Sequence, residues 1–156
     1  MVKRNSRGVT LIELCFAMAI LAIMAGIAAP SFRSSLRAAA VRAATYEVFT
    51  GLQQARANSI VESVPDTLCP SDSEGICLPA AAPAAFWRAS RDVHALPDGV
   101  VVRATRSPLR FWPDALSAST GTLTICDMRG VAQPRSIVVS QTGRARLTTA
   151  SAAVCR

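Results

Sequence analysis

The apolar run at residues 14–29 constrains this chain more than any other stretch. With the residues just before it, the run is long enough to cross a bilayer as one helix, which takes about 20 apolar residues. Glu13 is the one charge in this stretch, and a carboxylate at such depth costs on the order of 3 kcal/mol unless it is paired. The sequence therefore predicts a membrane helix whose acidic residue needs a positively charged partner.

A short basic leader, Lys3, Arg4 and Arg7, precedes the run. Secretory signal peptides have this general form and are removed as a whole. A charge within the apolar segment and the lack of a small-x-small cleavage site behind it argue against that interpretation. The sequence Gly8-Val9-Thr10-Leu11-Ile12-Glu13 instead resembles the cleavage site of type IV prepilins and pseudopilins.

This resemblance implies a processing pathway and a location. A prepilin peptidase is expected to cut after Gly8 and remove the leader at residues 1–8, and Val9, where the family usually has Phe, becomes the methylated N-terminus. Residues 9–29 remain as the transmembrane half of a long helix in the bacterial inner membrane. Glu13 is expected to pair with the N-terminal amine of a neighbouring pilin during filament assembly, and the rest of the chain lies in the periplasm before it enters a pilus.

Residues 30–63 have the pattern of an amphipathic helix. Pro30 removes one helical hydrogen bond and predicts a kink at the membrane exit, while Ser63 and Pro65 predict the end of the helix. Apolar residues recur every three to five positions and predict the face that packs on a sheet: Phe32, Leu36, Ala40, Ala44, Val48, Leu52, Ala55 and Ile60. Arg33, Arg37 and Arg42 are expected near lipid headgroups or neighbouring subunits, with DNA contact as the less favoured alternative.

Residues 64–156 are divided by turn residues into short segments that alternate apolar and polar side chains, as half-buried strands do. Strands are predicted at residues 66–70, 85–90, 100–105, 109–112, 122–127, 135–140 and 144–149. The fold class is therefore α+β: a long N-terminal helix packed on a small antiparallel β domain. This order resembles the GspH/FimT minor pseudopilins of the type IV pilin superfamily.

Four of the five cysteines lie beyond the anchor, and Cys15 lies within it. The pilin orientation implies an oxidising compartment, where disulfides persist. Four cysteines allow three pairings. Proximity in the sequence favours Cys69–Cys77, which leaves Cys126–Cys155 as the second pair.

No pattern in the chain indicates catalysis, a cofactor or a metal. There is no C-x-x-C pair for zinc, no phosphate-binding glycine loop, and His94, the single histidine, has no motif around it and is expected in a loop. The acidic residues of the β domain are isolated and lie mostly at turns. The chain is therefore expected not to be an enzyme.

The charge distribution points to the C-terminal end. The formal net charge is +7, and the three basic residues of the leader account for three of these charges. Asp127 is the last acidic residue, whereas five arginines follow it. Gly143-Arg144-Ala145-Arg146 places two of them together, and if they lie on a strand, their side chains share one face.

Two interpretations of these arginines remain open on the residues alone. One is a solvated hairpin arm with Ala145 and Leu147 facing inward. The other is non-specific contact with the DNA backbone, since each guanidinium can bind phosphate oxygens through two hydrogen bonds.

Gly-Arg-x-Arg near the C-terminus resembles the signature of FimT minor pilins, which bind DNA in natural transformation. On that resemblance, Gly143, Arg144 and Arg146 are the predicted DNA-binding residues. Auxiliary contacts are expected from Arg103, Arg106, Arg135 and Gln141. The alternative is a GspH-like assembly pseudopilin of a pilus or a type II secretion system, with partners among the other pilins and no DNA.

Overall fold

The computed structural model describes residues 10–114 and 117–155, except for the side chains of residues 28 and 29. The predicted leader, the cleavage position at Gly8 and the methylation site at Val9 lie outside this range. Contacts divide the chain into two units, Met1–Ser35 and Leu36–Arg156.

Helix α1 runs from Leu11 to Glu62 and contains Pro30. Its start combines Thr10 with Glu13 three residues later, a spacing typical of helix N-termini: the Thr10 hydroxyl accepts a hydrogen bond from the Glu13 amide at 3.4 Å. Among the described residues, no single helix meets the length and hydropathy expected of a membrane span, although the bent pair Leu11–Ile27 and Pro30–Glu62 could do so by length and composition. The bend lies where Pro30 predicts a kink.

The second half of α1 buries a narrower face than the sequence predicts. Val41, Ala44, Val48, Leu52 and Ala55 are buried at steps of three and four residues, which keeps them on one side of the helix. The predicted contributions of Phe32, Leu36 and Ile60 are wrong, because all three side chains are exposed.

The β domain consists of two four-stranded antiparallel sheets. The first has the order β3-β2-β1-β5, with β1 at Asp66–Ser71, β2 at Phe86–Ala89, β3 at Asp92–Ala95 and β5 at Leu109–Phe111. The second has the order β4-β6-β7-β8, with β4 at Val100–Ala104, β6 at Gly121–Asp127, β7 at Arg135–Val139 and β8 at Ala145–Thr149. Seven of these strands are predicted within a few residues; β3 is not.

The prediction that His94 lies in a loop is wrong. His94 belongs to β3, pairs with Trp87 of β2, and stacks on its indole with ring centroids 4.4 Å apart. The periodicity of Asp92-Val93-His94-Ala95 is too short and too polar to predict a strand, and the two-residue hairpin at Ser90 and Arg91 determines its position instead.

Trp87 also explains why α1 has a glycine in its interior. A Cβ at Gly51 would lie 2.3 Å from two atoms of the Trp87 ring, so the indole packs directly against the helix backbone. The hydrophobic core then continues through Leu68, Leu109, Leu123 and Ile137, all fully buried. Every residue of this core lies in the unit Leu36–Arg156.

Two disulfides, Cys69–Cys77 and Cys126–Cys155, join the pairs that sequence proximity favours. The second disulfide links β6 to a 3₁₀ turn at Ala152–Cys155. The end of the chain is therefore attached to the sheet that carries the Gly-Arg-x-Arg segment.

Candidate nucleic-acid interface

The Gly-Arg-x-Arg segment forms the turn and second arm of the β7–β8 hairpin. Residues 140–144 make the turn: the Ser140 carbonyl accepts a hydrogen bond from the Gly143 amide at 2.9 Å, and the Ser140 amide donates to the Arg144 carbonyl at 3.0 Å. The Ser140 hydroxyl also accepts from the Arg144 amide at 3.2 Å. These bonds fix the backbone of Arg144 before the strand begins at Ala145.

Gly143 is required by the conformation of this turn. Its φ is +73°, a value that favours glycine. A Cβ at Gly143 would also lie 3.2 Å from Nε of Arg56 and 3.5 Å from Cβ of Ala118. Gly143 is buried, so it shapes the hairpin and leaves room for the side chain of Arg56.

Arg144 and Arg146 are both exposed and lie on the same face of the hairpin. Arg146 is opposite Val138 in the β7–β8 register, and the hydrogen bond between Ser140 and Arg144 continues that ladder. Since side chains alternate along a strand, Ala145 and Leu147 point to the other face. Ala145 packs against the core there, whereas Leu147 remains 36% exposed.

Arg103 lies on the same face, three strands away. The strand registers place Arg103 of β4 in one row across the sheet with Thr124 of β6, Ser136 of β7 and Thr148 of β8. Thr148 lies two residues after Arg146 and therefore on the same face. We call this side of the second sheet its outer face, because Leu123, Ile125 and Ile137 point into the core from the other side. With strands about 4.8 Å apart, Arg103 and Arg146 are separated laterally by about 14 Å. Between them on this face Thr124 and Ser136 are buried, and Arg103 itself is only half-exposed.

The other predicted contacts are placed less favourably. Arg135 is the first residue of β7 and, by alternation, points to the side opposite Arg146. Arg106 is exposed in the segment after β4. Gln141 is exposed in the hairpin turn, and its carbonyl accepts a hydrogen bond from the Ala118 amide at 2.7 Å. The structure thus brings Arg103, Arg144 and Arg146 to one face and places Arg135 on the other.

The two hairpin arginines form no ion pair with the described part of the chain. The close contacts between His94 and Glu47 at 3.9 Å and between Arg129 and Asp98 at 3.7 Å do not involve them. Exposed, uncompensated guanidiniums attract phosphate from a distance and bind it with two parallel hydrogen bonds. The hairpin therefore has the charge and geometry for contact with a polyanion.

Asp127 holds the turn that leads into β7. Its carboxylate accepts hydrogen bonds from the amides of Arg129, Val131 and Ala132 at 3.0–3.2 Å. Burial alone would raise the pKa of Asp127. The backbone hydrogen bonds, first that from Ala132, and the charge of Arg37 outweigh burial and lower the pKa below its ordinary value. The ionised form is thus part of the fold that positions the hairpin.

The C-terminal 3₁₀ turn borders the same face. Val154 lines a small cavity of about 90 Å³ together with Arg103, Thr105, Thr122 and Thr124. The Cys126–Cys155 disulfide holds this turn against β6. The side of the outer face away from β8 is therefore partly covered by the chain's own end.

Arg56, whose side chain lies next to Gly143 beneath the hairpin turn, is a residue of this site that the sequence did not point to. It lies on α1, 87 positions before Gly143, and no local motif marks it.

Among the residues that the structure describes, no group of three His, Cys, Asp or Glu side chains is arranged to hold a metal ion.

Comparison with known proteins identifies two family signatures. Residues 44–143 match the family described as type II transport protein GspH, and residues 3–29 match the prokaryotic N-terminal methylation motif. The GspH match ends at Gly143, so Arg144 and Arg146 lie just beyond it. A comparison with curated proteins found no significant match.

Two crystal forms of the type IV minor pilin FimU from Pseudomonas aeruginosa are similar in structure. One aligns with a TM-score of 0.50 and 18% identity over 69% of this chain and 87% of FimU. The other gives a TM-score of 0.48 and 19% identity over 69% and 91% of the two chains. At this identity the first alignment supports a shared fold. The GspH match covers more than half of the chain, so it decides the family. The chain therefore belongs to the GspH family, as a minor pseudopilin of the type IV pilin superfamily with an N-terminal methylation motif.

Proposed function

We propose that this minor pilin binds extracellular DNA, without sequence preference, for uptake in natural transformation. The observation that carries the proposal is the pair Arg144 and Arg146, exposed on one face of a hairpin and without an ion-pair partner in the described chain. Arg103 lies on the same sheet face but is only half-exposed beside the C-terminal turn, so the hairpin pair carries the proposal.

The proposed contact is to phosphates rather than to bases. Two guanidiniums at adjacent outward positions can engage neighbouring phosphates of one strand. Such contacts are independent of sequence and weaken as salt rises, because binding releases counterions. A filament that carries several such subunits would gain affinity through multivalency.

The N-terminal half supplies the connection to the filament. In this proposal, prepilin peptidase cleaves after Gly8, Val9 is methylated, and residues 9–29 anchor the subunit in inner-membrane lipid until assembly. Glu13 then pairs with the N-terminal amine of a neighbouring pilin. DNA held at the hairpin moves with the filament when the filament retracts.

The test uses the unit Leu36–Arg156, which contains the whole core. DNA affinity is measured across a salt series for the wild type and for Arg144→Gln/Arg146→Gln. The double variant is expected to bind at least about tenfold more weakly, with a slope of log K against log salt reduced by about 1.8, or 0.9 for each lost phosphate contact on duplex DNA.

The matched control is Arg42→Gln/Arg91→Gln, which removes the same charge from exposed positions outside the hairpin. The proposal requires this control to retain wild-type binding. Equal loss in both variants would mean that only net charge matters, and negligible binding by the wild type would refute DNA recognition.

The second candidate is an assembly subunit of a pilus or a type II secretion system, favoured by the GspH match itself. Cells carrying Arg144→Gln/Arg146→Gln distinguish the two. Lost transformation with intact pili supports DNA capture, whereas lost pili or lost secretion supports the assembly role.

A further inference from the structure

Within the described part of the chain, each of the two sheets ends in one strand whose outer edge is unpaired. β3 is the terminal strand of the first sheet and β8 that of the second. The other terminal strands, β5 and β4, each have an additional bridge, at Phe111–Ala118 and Ala84–Val102. An unpaired edge presents backbone groups that can pair with another chain.

The registers show which backbone groups are free. Arg144 bonds to Ser140 through its backbone, so Arg144 and Arg146 direct their amides and carbonyls toward β7. Ala145 and Leu147 therefore direct theirs outward. In β3, the Leu96 amide donates to Ala85, so His94 and Asp92 face β2 and the backbone groups of Val93 and Ala95 point outward.

The two edges differ in charge: acidic residues predominate along the groove beside β3, where Arg91 of the β2–β3 turn is the one exposed cation among the described lining residues, and arginines predominate at β8. Asp92 is exposed on β3, and Glu47 of α1 lies beside it in a groove of about 270 Å³ that Asp92, His94 and Glu47 line. The groove continues toward Glu62 and Asp66. The β8 edge carries Arg144 and Arg146 and no acidic residue.

We propose that the chain associates head to tail, with β8 of one copy added antiparallel to β3 of a second copy. Opposed residues in an antiparallel pair lie on the same face. If the outward-facing backbone groups pair, Val93 or Ala95 must lie opposite Ala145 or Leu147. The arginines then necessarily fall on the face that carries Asp92 and His94, beside Glu47.

The apolar face of this pairing is also complementary. Val93 is 38% exposed and Leu147 is 36% exposed, so each leaves apolar surface on the side that the other would cover. Symmetric pairing is disfavoured, since β8 with β8 would oppose arginine with arginine, and β3 with β3 would bring two copies of Asp92 and Glu47 to the same face. The contact is therefore heterologous, and each associated copy leaves a β3 or a β8 edge on which a further copy can add.

The contact involves few residues, so its affinity in solution is low. The test is sedimentation equilibrium of the unit Leu36–Arg156 up to about 1 mM, the range of weak contacts. The wild type is expected to show a weight-average mass that rises with concentration and passes that of a dimer. Added salt lowers this mass, because the contact pairs opposite charges.

Charge exchange identifies the two edges. Glu47→Arg/Asp92→Arg and Arg144→Glu/Arg146→Glu are each expected to associate at least about tenfold more weakly, since like charges then meet. An equal mixture of the two variants restores association, because the changed β3 of one matches the changed β8 of the other. The control Arg42→Glu/Arg110→Glu reverses two exposed charges elsewhere and retains wild-type association.

Three results would overturn this inference. The wild type could stay monomeric throughout, which would mean that the edge charges only prevent aggregation. The mixture could fail to associate although both variants are folded by circular dichroism. A mass that stops at the dimer would indicate a symmetric contact. None of these results depends on DNA binding.

Discussion

The contact between Gly51 and Trp87 makes a strong prediction about stability. Replacing Gly51 with Ala adds one methyl group to the interior of α1, where alanine ordinarily stabilises a helix by about 1 kcal/mol relative to glycine. Here the new Cβ would lie 2.3 Å from two Trp87 ring atoms. The indole is 2% exposed and stacked on His94, so it has little room to move.

Overpacking of a core costs about 1–3 kcal/mol, and an overlap with a confined aromatic ring belongs at the upper end. Subtracting the gain in helix propensity leaves a net destabilisation of about 2 kcal/mol. For a unit of this size, that lowers the melting temperature by roughly 8 °C. The measurement is urea and thermal unfolding of Leu36–Arg156 with both disulfides intact.

Two further variants test the cause. Thr50→Ala adds no overlap at an exposed neighbouring position and should change stability by only a few tenths of a kcal/mol. In a Trp87→Phe background, which removes the second ring, Gly51→Ala should destabilise by about 1 kcal/mol less, as a double-mutant cycle measures. A Gly51→Ala protein at least as stable as the wild type would refute the packing of Trp87 on the helix backbone.

Three other outcomes are expected. Because the pKa of Asp127 is lowered, its ionised form stabilises the protein above the unfolded pKa of about 3.9, and that stability is lost as pH falls through the folded pKa. Asp127→Asn should lower the free energy of unfolding at pH 6 by about 1–2 kcal/mol. In urea titrations, the variant's free energy of unfolding should also change less between pH 3 and pH 6 than that of the wild type. Cys126→Ser/Cys155→Ser opens a disulfide with a sequence separation of 29 and should lower the free energy of unfolding by about 3–4 kcal/mol, as urea titration would show. Glu13→Ala should leave the protein in the membrane fraction and sharply reduce its recovery in sheared filaments; normal incorporation would contradict the assembly role of Glu13.

Local pattern predicted much of the fold correctly. Strands β6 and β7 alternate apolar and polar residues clearly enough to be placed within a residue or two, and both cystines followed from proximity. β3 escaped prediction because its four residues have little pattern of their own and are held by pairing with β2. The buried face of α1 was placed too broadly, since the periodicity of Phe32 and Leu36 does not reveal that both side chains are exposed.

The candidate site shows the same division. The sequence alone predicted that Arg144 and Arg146 share one face, because a period of two places alternate residues on one face of any strand. Their selection for DNA contact rested on the resemblance to FimT minor pilins and stays a prediction. The sequence could not determine that Arg103 shares this face while Arg135 does not, since that depends on the registers of β4, β6, β7 and β8. A shift of one residue in any register would reverse the result.

The sequence by itself predicted a membrane anchor with a single carboxylate and determined most of the order of helix and strands and the basic C-terminal segment. These features rest on hydrophobicity, periodicity and charge within short stretches of chain. Only the tertiary structure showed that the Trp87 ring packs against the helix backbone at Gly51 and that Arg56 lies beneath the turn at Gly143. It also showed that, within the described residues, β3 and β8 are edge strands that differ in charge. Each of these depends on contacts between residues far apart in sequence, which packing determines and local pattern does not record.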